Sequence, residues 1–164
     1  MVRLGAFGLG QGQLSVLIVE DEAIVALELE LAIRGVGHEV AGVAADLSEA
    51  VQIARGQHID LALVDINLRD GRTGVRIAEL LAQDHQVSVV FLTANPDLVP
   101  KGFADALGVY PKPYDIDAVG ELIRFAARIR RTEAAGEPPR RFQAADWLRE
   151  RLGLGGPAPL PQSC

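Results

Sequence analysis

From Leu14 onward, short apolar runs alternate with stretches in which apolar residues recur every three or four positions. Such runs predict strands, and the three-to-four spacing predicts amphipathic helices. "LSVLIV" (14–19) predicts a first strand. Residues 21–34 predict a helix whose apolar stripe is Ile24, Leu27 and Leu31, with Val25 and Leu29 across it. Gly35 and Gly37 end that helix, and "HEVAGVAA" (38–45) predicts a second strand. "DLSE" (46–49) is a capping box that opens a helix running to about Arg55, with Asp46 as the cap and Glu49 three residues on.

"LALVD" (61–65) and "VSVVFLT" (87–93) predict the third and fourth strands, separated by a helix over 73–83. Pro96 and Pro100 lie in the segment after the fourth strand, so a helix there is shortened, displaced or irregular. "FADAL" (103–107) has room only for a short one. "GVYP" (108–111) predicts a fifth strand. Residues 115–131 predict a long last helix with Val119, Leu122, Ile123, Ala126 and Ile129 on one stripe. Strands separated by helices imply a parallel sheet covered on both faces. Residues 1–13 read as a loose glycine-rich arm, 14–131 as the domain, and 132–164 as linker, short helix and proline-rich tail. In that tail Phe142, Ala145, Leu148 and Leu152 fall at spacings of three and four, with Trp147 at the edge.

Chemistry enters at the strand ends. Leu61–Val64 runs straight into Asp65, and a carboxylate there is tolerable only at the rim of the core. In a doubly wound sheet of order 2-1-3-4-5, ligands bind outside the carboxyl ends of the strands. Glu20, Asp21 and Glu22 follow the first strand, Asp65 the third, Thr93 the fourth and Lys112 the fifth. So many carboxylates call for a cation, and magnesium suits oxygen ligands. One carboxylate, Asp65, is then free to attack a phosphoryl group and form an acyl phosphate. Lys112 and Thr93 have the charge and the hydroxyl that phosphoryl oxygens need. Glu22 needs no role beyond favouring the positive end of the first helix. His38, His58 and His85 share no ligand spacing.

The set "VLIVEDE", "LALVDINL", "VVFLTA" and "YPKPY", in that order, resembles the receiver domain of two-component response regulators over roughly residues 14–131. The resemblance implies a flavodoxin-like α/β fold, a doubly wound five-stranded parallel sheet carrying a C-terminal helical extension. It makes Asp65 the phosphoacceptor and Glu20 and Asp21 the acidic pair for Mg2+, with Asn67 adding a backbone carbonyl. Thr93 and Lys112 would bind phosphoryl oxygens, and the Lys112–Pro113 bond would be cis. The implied partner is a sensor histidine kinase or a histidine phosphotransfer protein. Two positions depart from the pattern: the interval from Thr93 to Lys112 is short, and the usual aromatic position holds Val109, with Tyr110 one residue later. A threonine-to-tyrosine switch through Thr93 and Tyr110 therefore requires a one-residue slip, and ordering of 95–106 is the alternative mode of activation.

Composition narrows the rest. The 164 residues are 49% hydrophobic and carry a net charge of -6. The basic residues cluster late, with eight arginines over 124–151 against Glu133, Glu137, Asp146 and Glu150. Solvated helix faces account for them, so direct nucleic-acid binding is not expected. The one cysteine, Cys164, excludes an internal disulfide framework. No membrane-length apolar run and no secretory pattern is present, so a cytoplasmic location is expected. The 33 residues after 131 are too few for an output domain, so the reading is a phosphoacceptor that signals by protein contact or phosphorelay and is not itself an enzyme. The alternatives are a phosphate-independent scaffold and an aspartyl-phosphate phosphatase, though the phosphatase pattern needs an acid where Asn67 stands. Since a short helix must dock to persist, the tail either folds back on its own receiver or crosses to a second copy; the opposite charges of the arginine-rich tail and the acidic body favour the homodimer.

Overall fold

The computed structural model describes residues 12–155. Strands β1 (Ser15–Val19), β2 (Glu39–Ala44), β3 (Leu61–Val64), β4 (Ser88–Thr93) and β5 (Gly108–Pro111) are parallel. A short β6 (Gln143–Ala144) adds antiparallel to β5, and the sheet order is β2-β1-β3-β4-β5-β6. Helices α1 (Ala23–Gly35) and α4 (Ile116–Arg130) cover one face, and α2 (Leu47–Gly56) and α3 (Gly74–His85) the other. The pleat sends alternate residues to opposite faces. Val16, Ile18, Leu63, Leu92 and Tyr110 join the α1–α4 side, while Leu17, Val19, Val64, Phe91 and Val109 join the α2–α3 side. This is the expected α/β architecture, with one strand more than the sequence suggested.

Three expectations need correction. Helix α1 buries Ala26, Leu29, Ala32 and Ile33, leaving Ile24, Leu27 and Leu31 at 76%, 56% and 55% exposure. The helix carries two overlapping apolar stripes. The alanine-containing one lets it lie close to the sheet, whereas side-chain size alone favoured the other. The short helix expected at 103–107 is a single 3-10 turn, Phe103–Asp105, and it is left-handed. Gly102, Phe103, Ala104 and Asp105 have φ of 86°, 56°, 48° and 63° in succession. Such backbone costs about 1–3 kcal/mol per non-glycine residue. Phe103 and Ala104 offset this by packing on the α2–α3 core, and Gln83 Nε2 donates to Asp105 at 3.0 Å.

The third correction concerns the tail. Its stripe is split: Phe142 and Ala145 flank β6, and only Leu148 and Leu152 lie on helix α5 (Asp146–Leu152). Ala145 and Leu148 are fully buried and Phe142 nearly so, all against their own domain. Phe142 meets Phe125 edge-on at 5.5 Å, and Ala145 N–H donates to the Leu107 carbonyl at 2.8 Å. Gly108 makes the seat, since a Cβ there would lie 2.2 Å from the Gln143 carbonyl oxygen. The extension therefore shares the core of residues 14–131. Of the two arrangements expected for the stripe, the structure shows the fold-back onto its own domain. The N-terminal arm and proline-rich end lie, but for Gly12 and Gln13, outside the described residues.

Candidate phosphoacceptor site

The carboxyl ends of β1, β3, β4 and β5 bring Glu20, Asp65, Thr93 and Lys112 together. Asp65 follows β3 directly, its N–H donating to the Val19 carbonyl at 2.9 Å, so the parallel ladder continues one residue and sets the carboxylate at the rim. Gly74 is needed for close approach: a Cβ would sit 2.0 Å from the Asp65 carbonyl oxygen. Its N–H donates to the Ile66 carbonyl at 3.1 Å, so the start of α3 rests directly on the backbone that carries Asp65.

Lys112 is the hub. Its Nζ donates to Asp65 Oδ2 and to Glu20 Oε2, both at 2.9 Å. Its backbone N–H donates to the Thr93 carbonyl at 2.9 Å, and the Lys112–Pro113 bond is cis. Glu20 and Asp65 are 3% and 8% exposed. Burial raises the Glu20 carboxyl above its ordinary pKa, against the opposing pull of the Lys112 bond and of the Glu22 N–H. For Lys112, burial works against the charge, but the bonds to Asp65 and Glu20 outweigh it and hold the ammonium firmly protonated. Asp65 Oδ1 accepts from the Ile66 N–H at 2.7 Å. Thr93 is fully buried, and its hydroxyl oxygen accepts from the Asn95 N–H at 3.0 Å. Asp21 and Glu22 are exposed and Asn67 is half-buried.

The donor set suits a hard divalent cation: Asp65, Glu20, Asp21 and the carbonyl of Asn67 supply only oxygen. Among the described residues no three ligands stand preassembled for a metal. Instead a cation, the Lys112 ammonium, already bridges the two buried carboxylates. Buried acids that recruit a lysine fit the charge a metal would bring.

Thr93 and Tyr110 do not form the expected pair. Tyr110 pairs in register with Leu92, and both face the α1–α4 side. Thr93, one residue on, points to the opposite face. The slip that would have aligned them is absent. Tyr110 instead meets Tyr114 edge-on at 6.4 Å and lies under the Arg141 guanidinium at 5.7 Å. Tyr114, quoted in "YPKPY" but given no role, has a buried hydroxyl without a partner, and burial pushes its pKa up to about 12. Arg141 was read as part of a solvated tail, but its guanidinium donates to the Pro113 and Pro111 carbonyls at 2.7 and 3.4 Å, one on each side of Lys112. Nothing in local sequence links residue 141 to residue 112; only the fold-back does.

Ile24, Leu27 and Leu31 stand exposed on α1, and Ile116 is 45% exposed at the start of α4. A cavity of about 470 Å³ lies between the two helices, lined by Glu28, Leu29, Tyr114, Ile116 and Val119. No helix among the described residues is long and apolar enough to cross a membrane.

Residues 16–124 match the family model described as response regulator receiver domain. The chain is 42% identical over 83 residues to the phyllosphere-induced regulator PhyR of Methylorubrum extorquens, covering 50% of this chain and 31% of that protein. It is 34% identical over 114 residues to the transcriptional regulatory protein PdtaR of Mycobacterium tuberculosis, covering 68% and 55%. It thus spans about half or less of the length of these curated relatives. Among solved structures, the PhyR response regulator REC domain of Erythrobacter litoralis superposes with a TM-score of 0.64 at 32% identity, covering 70% of this chain and 90% of that one.

Proposed function

This chain belongs to the response regulator receiver family of two-component signalling, and from that premise we propose that it accepts a phosphoryl group on Asp65 from a histidine kinase or histidine phosphotransfer protein. The observation that carries the reading is the Lys112 ammonium bonded at 2.9 Å to both Asp65 and Glu20 at the carboxyl ends of the strands. In the transfer a carboxylate oxygen of Asp65 attacks phosphorus and forms a P–O bond. The P–N bond of the phosphohistidine breaks, and its electron pair returns to the imidazole. Lys112 leaves Asp65 Oδ2 for the phosphoryl oxygens and keeps its positive charge beside them. The Thr93 hydroxyl, now accepting from Asn95 N–H, has its own proton available to donate to the same group.

Mg2+ is the proposed cofactor, held by Asp21, Asp65 and the Asn67 carbonyl with Glu20 close behind; when bound it would offset charge on the phosphoryl oxygens. The phosphodonor would dock on α1. Ile24, Leu27 and Leu31 recur at three and four positions on the exposed face of α1, which begins just after Glu20, Asp21 and Glu22, and an amphipathic helix bearing the phosphohistidine fits such a face.

The test is intact mass after incubation with Mg2+ and a small phosphodonor. One phosphoryl group is expected on the wild-type chain and none on Asp65→Asn. An Asp65→Asn chain that still gains the group refutes the assignment.

A further inference from the structure

Residues 132–154 form a strap, and its contacts converge on the two segments that approach the phosphoacceptor site. Arg141 holds the carbonyls of Pro111 and Pro113 on either side of Lys112 and stacks on Tyr110. The Trp147 indole N–H donates to the Ala106 carbonyl at 3.0 Å, and Ala145 N–H to the Leu107 carbonyl at 2.8 Å. Ala106 and Leu107 immediately follow the left-handed turn at 102–105, which belongs to the connection from Thr93. The strap therefore touches both routes out of the site, one from Lys112 and one from Thr93.

We propose that this strap is released by phosphorylation of Asp65, so that loss of its docking is the protein's output. The inference rests on Asp65 being the phosphoacceptor. With a free carboxylate, Lys112 bonds Asp65 Oδ2 and Glu20 Oε2 at 2.9 Å, and the backbone of 111–113 is aligned for Arg141. A phosphoryl group inserted between Asp65 and Lys112 makes that pair of bonds impossible, and the lysine reseats. Its neighbours Pro111 and Pro113 carry the Arg141 acceptors, so the guanidinium loses its fork as the backbone shifts. The connection from Thr93 carries two three-residue 3-10 turns and no α-helix to resist a change, and it holds three consecutive non-glycine residues in the left-handed region. Release uncovers the edge of β5 and the apolar floor beneath Phe142 and Leu148. Interfaces of this kind have two arrangements and respond to small shifts at a charged site.

Trp147, the one tryptophan of the chain and 39% exposed, reports on the strap directly. The experiment follows its emission in the full chain as a small phosphodonor and Mg2+ are added, with intact mass measured on the same samples. Emission should move to longer wavelength in proportion to the phosphoryl mass gained, and amide-exchange protection at Ala145 and Leu148 should fall roughly tenfold or more. Arg141→Ala should show the shifted emission before any phosphodonor is added and still gain the phosphoryl mass. Full mass gain with unchanged or blue-shifted emission overturns the strap proposal alone. A chain that gains no mass overturns the phosphoacceptor reading, and the proposal with it. Wild-type emission and response in Arg141→Ala overturn the coupling through Lys112.

Discussion

The acidic rim at the ends of β1 and β3 and the far edge of the sheet at β5 and β6 are held by different forces. At the rim, two carboxylates only 3% and 8% exposed share one lysine, so charge keeps the arrangement together. At the far edge, Phe142, Ala145 and Leu148 are buried apolar groups, and backbone bonds complete the seat. A change of charge acts on the first region immediately. It meets the second where Arg141 binds the carbonyls on either side of Lys112, and where Trp147 and Ala145 bind the carbonyls of Ala106 and Leu107. The lesson is that burial and responsiveness are separate properties: the edge is as well packed as the rim, yet neither β5 nor β6 contains a carboxylate.

Two glycines separate the regions most sharply. Gly74→Ala pushes a Cβ into the Asp65 carbonyl, 2.0 Å away, and into Ile66 Cα at 2.5 Å. Both are backbone atoms, so about 3 kcal/mol or more of stability should be lost in urea unfolding, together with phosphoryl acceptance. Gly108→Ala meets the Gln143 carbonyl oxygen and the Phe142 ring. It should unseat the strap yet leave phosphoryl acceptance in place. Equal loss of acceptance in both variants would show that the two regions are one.

Leu148→Ala removes a fully buried side chain of the extension and should cost about 2–5 kcal/mol. Leu27→Ala, on the exposed strip of α1, should change stability by less than about 0.5 kcal/mol. It should nevertheless slow phosphotransfer from a histidine kinase, while leaving acceptance from a small phosphodonor untouched. Unfolding curves and the two transfer assays distinguish these effects.

How far the sequence exposed each region follows from the same physics. Asp65, Glu20, Thr93 and Lys112 each end an apolar run, so the local pattern alone placed them at strand ends. The β4–β5 connection was legible as irregular from Pro96 and Pro100. Its left-handed course was not, because Phe103, Ala104 and Asp105 have no local preference for positive φ and adopt it only in this packing. The face of α1 was misjudged because leucines surround the helix and the buried stripe uses small alanines. The strand β6 was hidden inside a helical period, since Phe142 and Ala145 satisfy both a three-residue spacing and an edge-strand seat. Arg141 was invisible as a site residue because its partners lie 28 and 30 positions away.

Lys112→Ala sharpens the account of the rim. From sequence Lys112 could be a solvated charge, whose loss would hardly change stability. With a side chain only 17% exposed and two carboxylates on it, its removal strands buried negative charge. A loss of about 2 kcal/mol is expected, less than for a fully buried pair because Glu20 can take up a proton. An unchanged midpoint in denaturant would restore the solvated reading.

The smallest expected effect lies at the opposite end of the sheet. His38 Nδ1 accepts the Leu14 N–H at 3.1 Å, and burial, then Arg131, lowers its pKa below the ordinary 6.5. The unfolded chain therefore binds this proton at a higher pH than the folded chain. Stability is fully present above pH 6.5 and falls as pH drops below it toward the lowered folded value. His38→Gln should flatten that part of the stability profile. A profile in which wild type and variant run parallel from pH 7 to 5 would contradict it.

The central claim is that the phosphoryl group resides on Asp65. Borohydride reduces an acyl phosphate to an alcohol but leaves free carboxylates alone, so reduction after phosphodonor treatment with Mg2+ marks the phosphorylated side chain permanently. Peptide mass analysis should find homoserine at position 65, and Glu20, Asp21 and Glu22 unchanged. Homoserine at position 21, or no reduced residue in a chain that has gained phosphoryl mass, would contradict the account.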